Sequence, residues 1–200
     1  MKKIAIIVLA AGSSSRMKTV KQLEKINNKT LLEITLEKAI QLQNQHIFCV
    51  LGANAELIKT TISYHNVQFI INKNFTFGLS SSIVFAIDFL KKENQFFDGY
   101  FILLADQPNI ETQYLQDVID LFKKNPNKIV ASNYGHNYGV PAIIPSKFTK
   151  ELLVLQGDKG AKEFINSNKK NVIIPESTTN FFDVDTQADL IFLTNQYKKK

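Results

Sequence analysis

Short apolar runs alternate with stretches of helical apolar spacing along most of this chain, a pattern that restricts it to α/β layer structures built on a largely parallel sheet. The apolar runs predict strands near residues 4–9, 47–51, 68–71, 100–104, 129–131 and 142–144. Between them, 31–40, 55–62 and 80–90 carry apolar residues at helical spacing, and 111–122 reads as a fourth helix. The glycine- and asparagine-rich segment 133–139 predicts a turn between two strands, which makes the sheet mixed. Two short helices are expected near 146–155 and 159–168. Thr186-Gln-Ala-Asp189 starts a last helix running to Tyr197, with Asp where a capping box usually has Glu.

Composition narrows the class. With 200 residues, 44% hydrophobic and 21% charged, the chain can bury one substantial core, and a single domain over 1–200 is expected. No stretch reaches the roughly 20 apolar residues of a membrane span. The run 4–9 is short and rich in isoleucine and valine, so it reads as a buried strand rather than a signal-peptide core. The single cysteine, Cys49, excludes an internal disulfide and reads as a small buried hydrophobe, which fits a reducing cytoplasm. The net charge of +6 comes from scattered lysines whose densest cluster is 198–200. Neither nucleic acid nor membrane is therefore an expected partner, although a positive field favours anionic nucleotides. His46, His65 and His136 lack metal-ligand spacing and a Ser or Cys partner, which argues against zinc or triad chemistry.

Three constellations carry chemistry. The first follows the opening strand: Leu9-Ala10-Ala11-Gly12-Ser13-Ser14-Ser15-Arg16-Met17, holding the one arginine among 24 basic residues. A guanidinium grips phosphate oxygens through two parallel N–H bonds, which an ammonium cannot do, and a strand followed by a Gly/Ser loop is where α/β proteins put phosphates. Lys21 lies five residues beyond Arg16. With Gly12 the only glycine in the loop, neither a dinucleotide fingerprint nor a P-loop is present. The second closes the fourth strand, Ala105-Asp106-Gln107-Pro108, where a carboxylate at a strand's C-terminal end suits a hard cation, a helix cap or a turn. The third is Asp183-Val184-Asp185-Thr186: carboxylates at i and i+2 on an extended segment point the same way, so both could approach one ion, or one could support the other.

These segments resemble nucleotidyltransferases of the molybdenum-cofactor group. Its cytidylyl-transferring branch opens with L-A-A-G-x-S-x-R-M-G-x-x-K, matched here except that Lys18 replaces the second glycine. Asp106 stands in an A-D-Q-P segment similar to the family's metal-binding one, and Asp183 to Leu190 is similar to its D-x-D-T-P-x-D-L element. Asn74 to Ile83 is similar to N-x-x-W/F-x-x-G-x-S-S-S-[IL], which borders the nucleotide, although a serine cap on a helix explains it too. The resemblance implies the three-layer α/β/α sandwich of the nucleotide-diphospho-sugar-transferase type. It implies nucleotide contacts from Leu9 to Ser14, Arg16, Lys21, Gly52, Gly78, Ser80 and Ser81, with Gly52 equally readable as a plain strand-to-helix turn. It makes Asp106 and Asp183 the Mg²⁺ ligands, with Asp185 the runner-up, and Arg16, Lys21 and Asp106 the catalytic groups. Gly139, Pro141, Gly157, Asp158 and Asp185 are implied on the acceptor side, where Lys162 stands in place of a common arginine.

The activity so implied is Mg²⁺-dependent transfer of CMP from CTP to a phosphorylated, molybdopterin-type acceptor, with release of pyrophosphate. Guanylyl-transferring relatives tend to have L-A-G-G, and the Cβ of Ala11 would crowd a purine, which favours CTP over GTP. Rival readings are transfer of a guanylyl group, a different phosphorylated acceptor, or a catalytically silent nucleotide-binding chaperone for a molybdoenzyme apoprotein.

Overall fold

The computed structural model describes residues 2–42, 46–158 and 160–198. β1 (Ile4–Ala10) is buried at every position because it runs between two parallel neighbours with helices over both faces. After it come a 3₁₀ turn (Lys21–Leu23), a hairpin of β2 (Lys25–Ile26) and β3 (Lys29–Thr30), and α1 (Leu31–Gln41). Thr30 starts α1 with a full capping box: its hydroxyl accepts from the Glu33 amide at 3.1 Å, and its own amide donates to Glu33 at 2.8 Å. β4 (Ile47–Leu51), α2 (Ala55–Thr61), β5 (Val67–Ile71), α3 (Leu79–Lys92), β6 (Gly99–Leu104) and α4 (Thr112–Lys124) complete the regular alternation. Then follow β7 (Ile129–Asn133), β8 (Tyr138–Pro145), α5 (Thr149–Leu152), α6 (Gly160–Ser167), β9 (Val172–Ile173) and α7 (Gln187–Tyr197).

The seven-stranded sheet has the order β5, β4, β1, β6, β8, β7, β9, and β8 alone runs against the others. Residues 134–137 are too few for a helical crossover, so β7 and β8 pair as a hairpin, as the turn composition predicts. Alternate residues of β1 feed opposite cores. Ile4, Ile6 and Val8 pack with Leu36 of α1 and Val118 of α4, while Ala5, Ile7 and Leu9 pack with Ile83 and Ile87 of α3 and Phe164 of α6. The result is the expected α/β/α sandwich of the nucleotide-diphospho-sugar-transferase type.

A smaller third cluster matters most for the site. Met17 from the first loop, Val184 from the strap after β9, and Leu190 and Leu193 from α7 are buried together with Ile26 and Leu31. Packing Met17 and Val184 into one cluster brings their neighbours Arg16, Asp183 and Asp185 together at the C-terminal ends of the central strands β1 and β6.

Several local expectations are corrected. The helix expected over 146–155 is a 3₁₀ turn at Ser146–Phe148 followed by the single turn α5. β2, β3 and β9 are two-residue strands, too short for any period to show in the sequence. The helix expected over 159–168 is seen as α6; Lys159, like Lys199 and Lys200 of the basic tail, lies outside the described residues.

Candidate active site

The chain leaves β1 toward β4 on one side, while β6 flanks β1 on the other, so a crevice opens at the C-terminal ends of β1 and β6. The first loop lies there, folded by its own polar side chains. Ser14 sits at φ +57°, its carbonyl accepts from the Met17 amide at 2.9 Å, and its hydroxyl accepts from the Lys21 amide at 3.1 Å. The buried Gln22 amide donates to the carbonyls of Ala10 and Gly12 at 2.8 and 2.9 Å and accepts from the Ser14 hydroxyl at 3.2 Å. Gln22 thus fixes the loop's path from below. Nothing in the motif marked it.

Cations and carboxylates converge above this loop. Lys21 Nζ is 2.6 Å from Asp106 Oδ2 and 3.1 Å from Asp185 Oδ1, and Arg16 Nη2 is 3.2 Å from the same Asp185 oxygen. Burial pushes the Lys21 pKa down, but the charges and hydrogen bonds of Asp106 and Asp185 outweigh it and hold the ammonium above its ordinary value. The Asp106 carbonyl accepts from the Val184 amide at 2.9 Å, which ties the strap to β6. Asp183, beside it, accepts from the Gln107 side-chain amide at 2.8 Å. Its pKa is raised, chiefly by burial and by the carboxylates of Asp106 and Asp185, against the Gln107 hydrogen bond.

Two adjoining cavities meet here, both lined by Leu9, Leu79, Leu104 and Asp158. The first, about 530 Å³, is lined by Leu9 to Arg16, Lys21, Gly78, Asp106, Asp158 and Asp185. The second, about 620 Å³, takes in Gly139, Lys162 and Asp183, together with Gln107, Tyr134 and Asn137. Asp183 and Asp185, although two residues apart, therefore face different cavities and have different partners.

Other predicted site residues lie behind these walls. Gly52 lines neither cavity; a Cβ there would come within 2.6 Å of Phe75 Cβ and 2.7 Å of the Ala11 carbonyl, so this glycine lets β4 pack under the loop. Ser80 is buried with its hydroxyl on the Gln156 carbonyl, and Ser81 bonds the Gly78 carbonyl at 2.7 Å, while Ser82, which sequence reasoning passed over, lines the first cavity. Gly157, at φ +75°, accepts from the Ser80 amide and shapes the turn beneath Gly78. Pro141 is buried, and its carbonyl takes the Ser132 hydroxyl. Gln107 and Tyr134 are the other unforeseen members: the Gln107 amide also donates to the Tyr134 hydroxyl, which in turn donates to the Val140 carbonyl.

Gly12 contrasts with Gly52. A Cβ on Gly12 meets nothing within 4 Å, and its φ is not left-handed, so no demand of the fold explains a glycine at the cavity floor. Asp106 Oδ1 is buried without a hydrogen-bond partner, which suits metal ligation. Among the described residues no group of three or more His, Cys, Asp or Glu side chains is placed to hold a metal. One or two carboxylates completed by phosphate oxygens and water is the manner in which Mg²⁺ usually binds, and Asp106 with either neighbouring aspartate fits it.

A Gly/Ser loop with two cations, set against carboxylates at the mouth of a mixed α/β/α sheet, is the arrangement of a nucleotidyltransferase. The chain belongs to the family of the MobA-like NTP transferase domain, whose model matches residues 6–172. It is similar to Rv0371c from Mycobacterium tuberculosis H37Rv, with 27% identity, a TM-score of 0.83, and 97% of this chain and 98% of that one covered. A crystal structure of that protein in complex with manganese aligns at 25% identity and a TM-score of 0.76 over 96% and 98% of the two chains. UDP-glucose pyrophosphorylase complexed with UDP-glucose shares the fold, at 15% identity and a TM-score of 0.75 over 100% and 99%. Among curated proteins, the bifunctional protein GlmU of Francisella tularensis subsp. novicida is 24% identical over 147 residues, 72% of this chain. The chain spans 31% of that relative's length. Among the described residues no helix is long and apolar enough to cross a membrane.

Proposed function

We propose that this protein transfers a cytidylyl group from CTP, with Mg²⁺, to the terminal phosphate of a molybdopterin-type acceptor. An acceptor phosphate oxygen attacks the α-phosphorus; the new O–P bond forms as the bond to the β-phosphate oxygen breaks, and pyrophosphate leaves. The attacking phosphate is already anionic, so the site needs positioning and charge neutralisation more than a general base. Arg16 and Lys21 bind the triphosphate and neutralise charge growing on the departing pyrophosphate. Asp106 with Asp183 would hold the ion, which when bound draws charge from the phosphate oxygens. The acceptor lies in the second cavity, where Lys162 meets its phosphate. Ala11, which lines the first cavity, limits the room for a purine.

The observation that carries this reading is the pairing of the chain's only arginine and Lys21 with Asp106 and Asp185 across the first cavity. Reservoirs of both charges at one point suit a metal–triphosphate ligand better than any single-sign substrate. The test is pyrophosphate release from each of the four common NTPs with molybdopterin as acceptor, run beside calorimetric titration of CTP. Release with CTP, lost on omitting Mg²⁺, is expected. CTP binding unchanged by Asp106→Ala and by omission of Mg²⁺ would remove the metal assignment, and GTP outcompeting CTP would reverse the base preference.

A further inference from the structure

Lys38 of α1 reaches the loop that carries Asp106. Instead of lying out in solvent, its ammonium turns inward and donates to the carbonyl of Pro108 at 2.5 Å and to that of Ile110 at 2.7 Å. Those carbonyls belong to the segment directly after Asp106 and Gln107. Pro108 has no N–H, and β6 has already ended at Leu104, so the sheet ladder does not hold this segment. Three outside donors reach its backbone carbonyls: Lys38 from α1, the Tyr197 hydroxyl of α7 at 3.2 Å from the same Pro108 carbonyl, and the Val184 amide on the Asp106 carbonyl. Only the ammonium ties two carbonyls at once, because it has three hydrogens to give. Lys38 and Gln107 also border one small cavity between α1 and the end of β6.

We propose that Lys38 is a positioning residue for nucleotidyl transfer, fixing Asp106 and Gln107 through the carbonyls of Pro108 and Ile110. The proposal rests on the transferase reading above. Burial lowers the Lys38 pKa to about 8, with the Glu111 carboxylate acting against that shift. Holding a charge there carries a desolvation cost that a surface lysine avoids, and the two carbonyls offset it.

The experiment compares wild type, Lys38→Met and Lys38→Arg. It reads kcat and KM for pyrophosphate release with CTP, and amide hydrogen exchange over residues 104–112. Lys38→Met keeps an unbranched apolar stem, one atom shorter, and loses the donors. Because misplacing reacting groups by about an ångström costs on the order of a hundredfold, kcat should fall by roughly ten- to a hundredfold while the KM for CTP changes by less than about threefold. Exchange should quicken in 104–112 and stay unchanged in the rest of α1 and β1. Lys38→Arg, whose fork can serve both carbonyls, should recover most of the lost kcat and protection.

A Lys38→Met kcat within about threefold of wild type, a factor too small for lost positioning, overturns the proposal. So does unchanged exchange in 104–112, or a loss spread over the whole sheet that arginine fails to repair. If Lys38→Met does not fold, Tyr197→Phe removes the other donor to Pro108: faster exchange in 104–112 supports the clamp, and unchanged exchange overturns it. If wild type releases no pyrophosphate with any NTP, the transferase reading fails, and the exchange arm alone still decides whether Lys38 holds this segment.

Discussion

The two cavities share a wall and differ in how they are made. The first is floored by one continuous loop, Ala11 to Arg16, whose residues are neighbours in sequence and whose chemistry is written in their order. The second gathers Gln107 after β6, Tyr134 and Gly139 from the hairpin, Lys162 from α6 and Asp183 from the strap. A local loop can carry a motif, because its geometry follows from short-range turns. A cavity gathered from distant segments carries no single motif, because its residues come together only through packing elsewhere. Asp106 lines the first cavity and pairs with Lys21, while Gln107 beside it lines the second, so its substitution is the largest expected break. Asp106→Asn keeps the shape and removes the charge that faces Lys21; kcat should fall by about a hundredfold or more. Turnover within tenfold of wild type would mean that the aspartates of the strap suffice without it.

Asp183 and Asp185 divide the comparison more finely. Asp185 belongs to the first cavity and to the cations; Asp183 belongs to the second, on the Gln107 amide. If Asp183 is the second metal ligand, Asp183→Asn should weaken Mn²⁺ binding in the presence of CTP by about tenfold or more. Asp185→Asn should leave that affinity nearly intact. Manganese titration followed by electron paramagnetic resonance reads both, and the opposite order transfers the role to Asp185.

The glycines show what a sequence motif can and cannot say. Gly12 and Gly52 were both implied nucleotide contacts, Gly52 equally readable as a plain strand-to-helix turn, and the space around each separates them. Gly52→Ala drives a Cβ into Phe75 and the Ala11 carbonyl, so it should cost about 1–3 kcal/mol of stability and blur the first cavity secondarily. Gly12→Ala meets no protein atom, so its melting temperature should match wild type while CTP binding weakens about tenfold, the cost of one badly placed contact of roughly 1.4 kcal/mol. Equal CTP affinity in Gly12→Ala would show that the ligand's phosphates do not approach this backbone.

The same logic explains what was legible. The six strands with long apolar runs, the helices between them and the hairpin were readable, because burial on both faces leaves a continuous signature and turns have their own residues. β2, β3 and β9 were not, since two residues show no period. At the site, Arg16, Lys21, Asp106, Asp183 and Asp185 stood in motifs and do converge. Gln22, Tyr134 and Lys38 did not stand out, because an amide, a phenol or a lysine on an amphipathic helix looks like ordinary surface until its partner is known; Gln107 stood in the A-D-Q-P segment with no role of its own assigned. The hydroxyls of Ser80 and Ser81, whose motif implied nucleotide contact, serve the Gln156 and Gly78 carbonyls.

Lys18 joins the two kinds of information. It occupies the position where the resembling motif has glycine, and its backbone sits at φ +58°, a left-handed conformation that glycine adopts freely and lysine does not. Its side chain is exposed beside the buried Met17, so the strain is held by the packing of Met17 beneath α7 rather than by any contact of its own in the cavity. Left-handed geometry costs a residue with a Cβ about 1–2 kcal/mol, and glycine gives part of that back as extra freedom of the unfolded chain. Lys18→Gly should therefore stabilise the protein by roughly 0.5–1 kcal/mol, a rise of about 1–4 °C in Tm for a chain of this size. Calorimetric melting reads it directly, and a lower Tm would mean that the lysine side chain contributes more to the loop than its backbone strain removes.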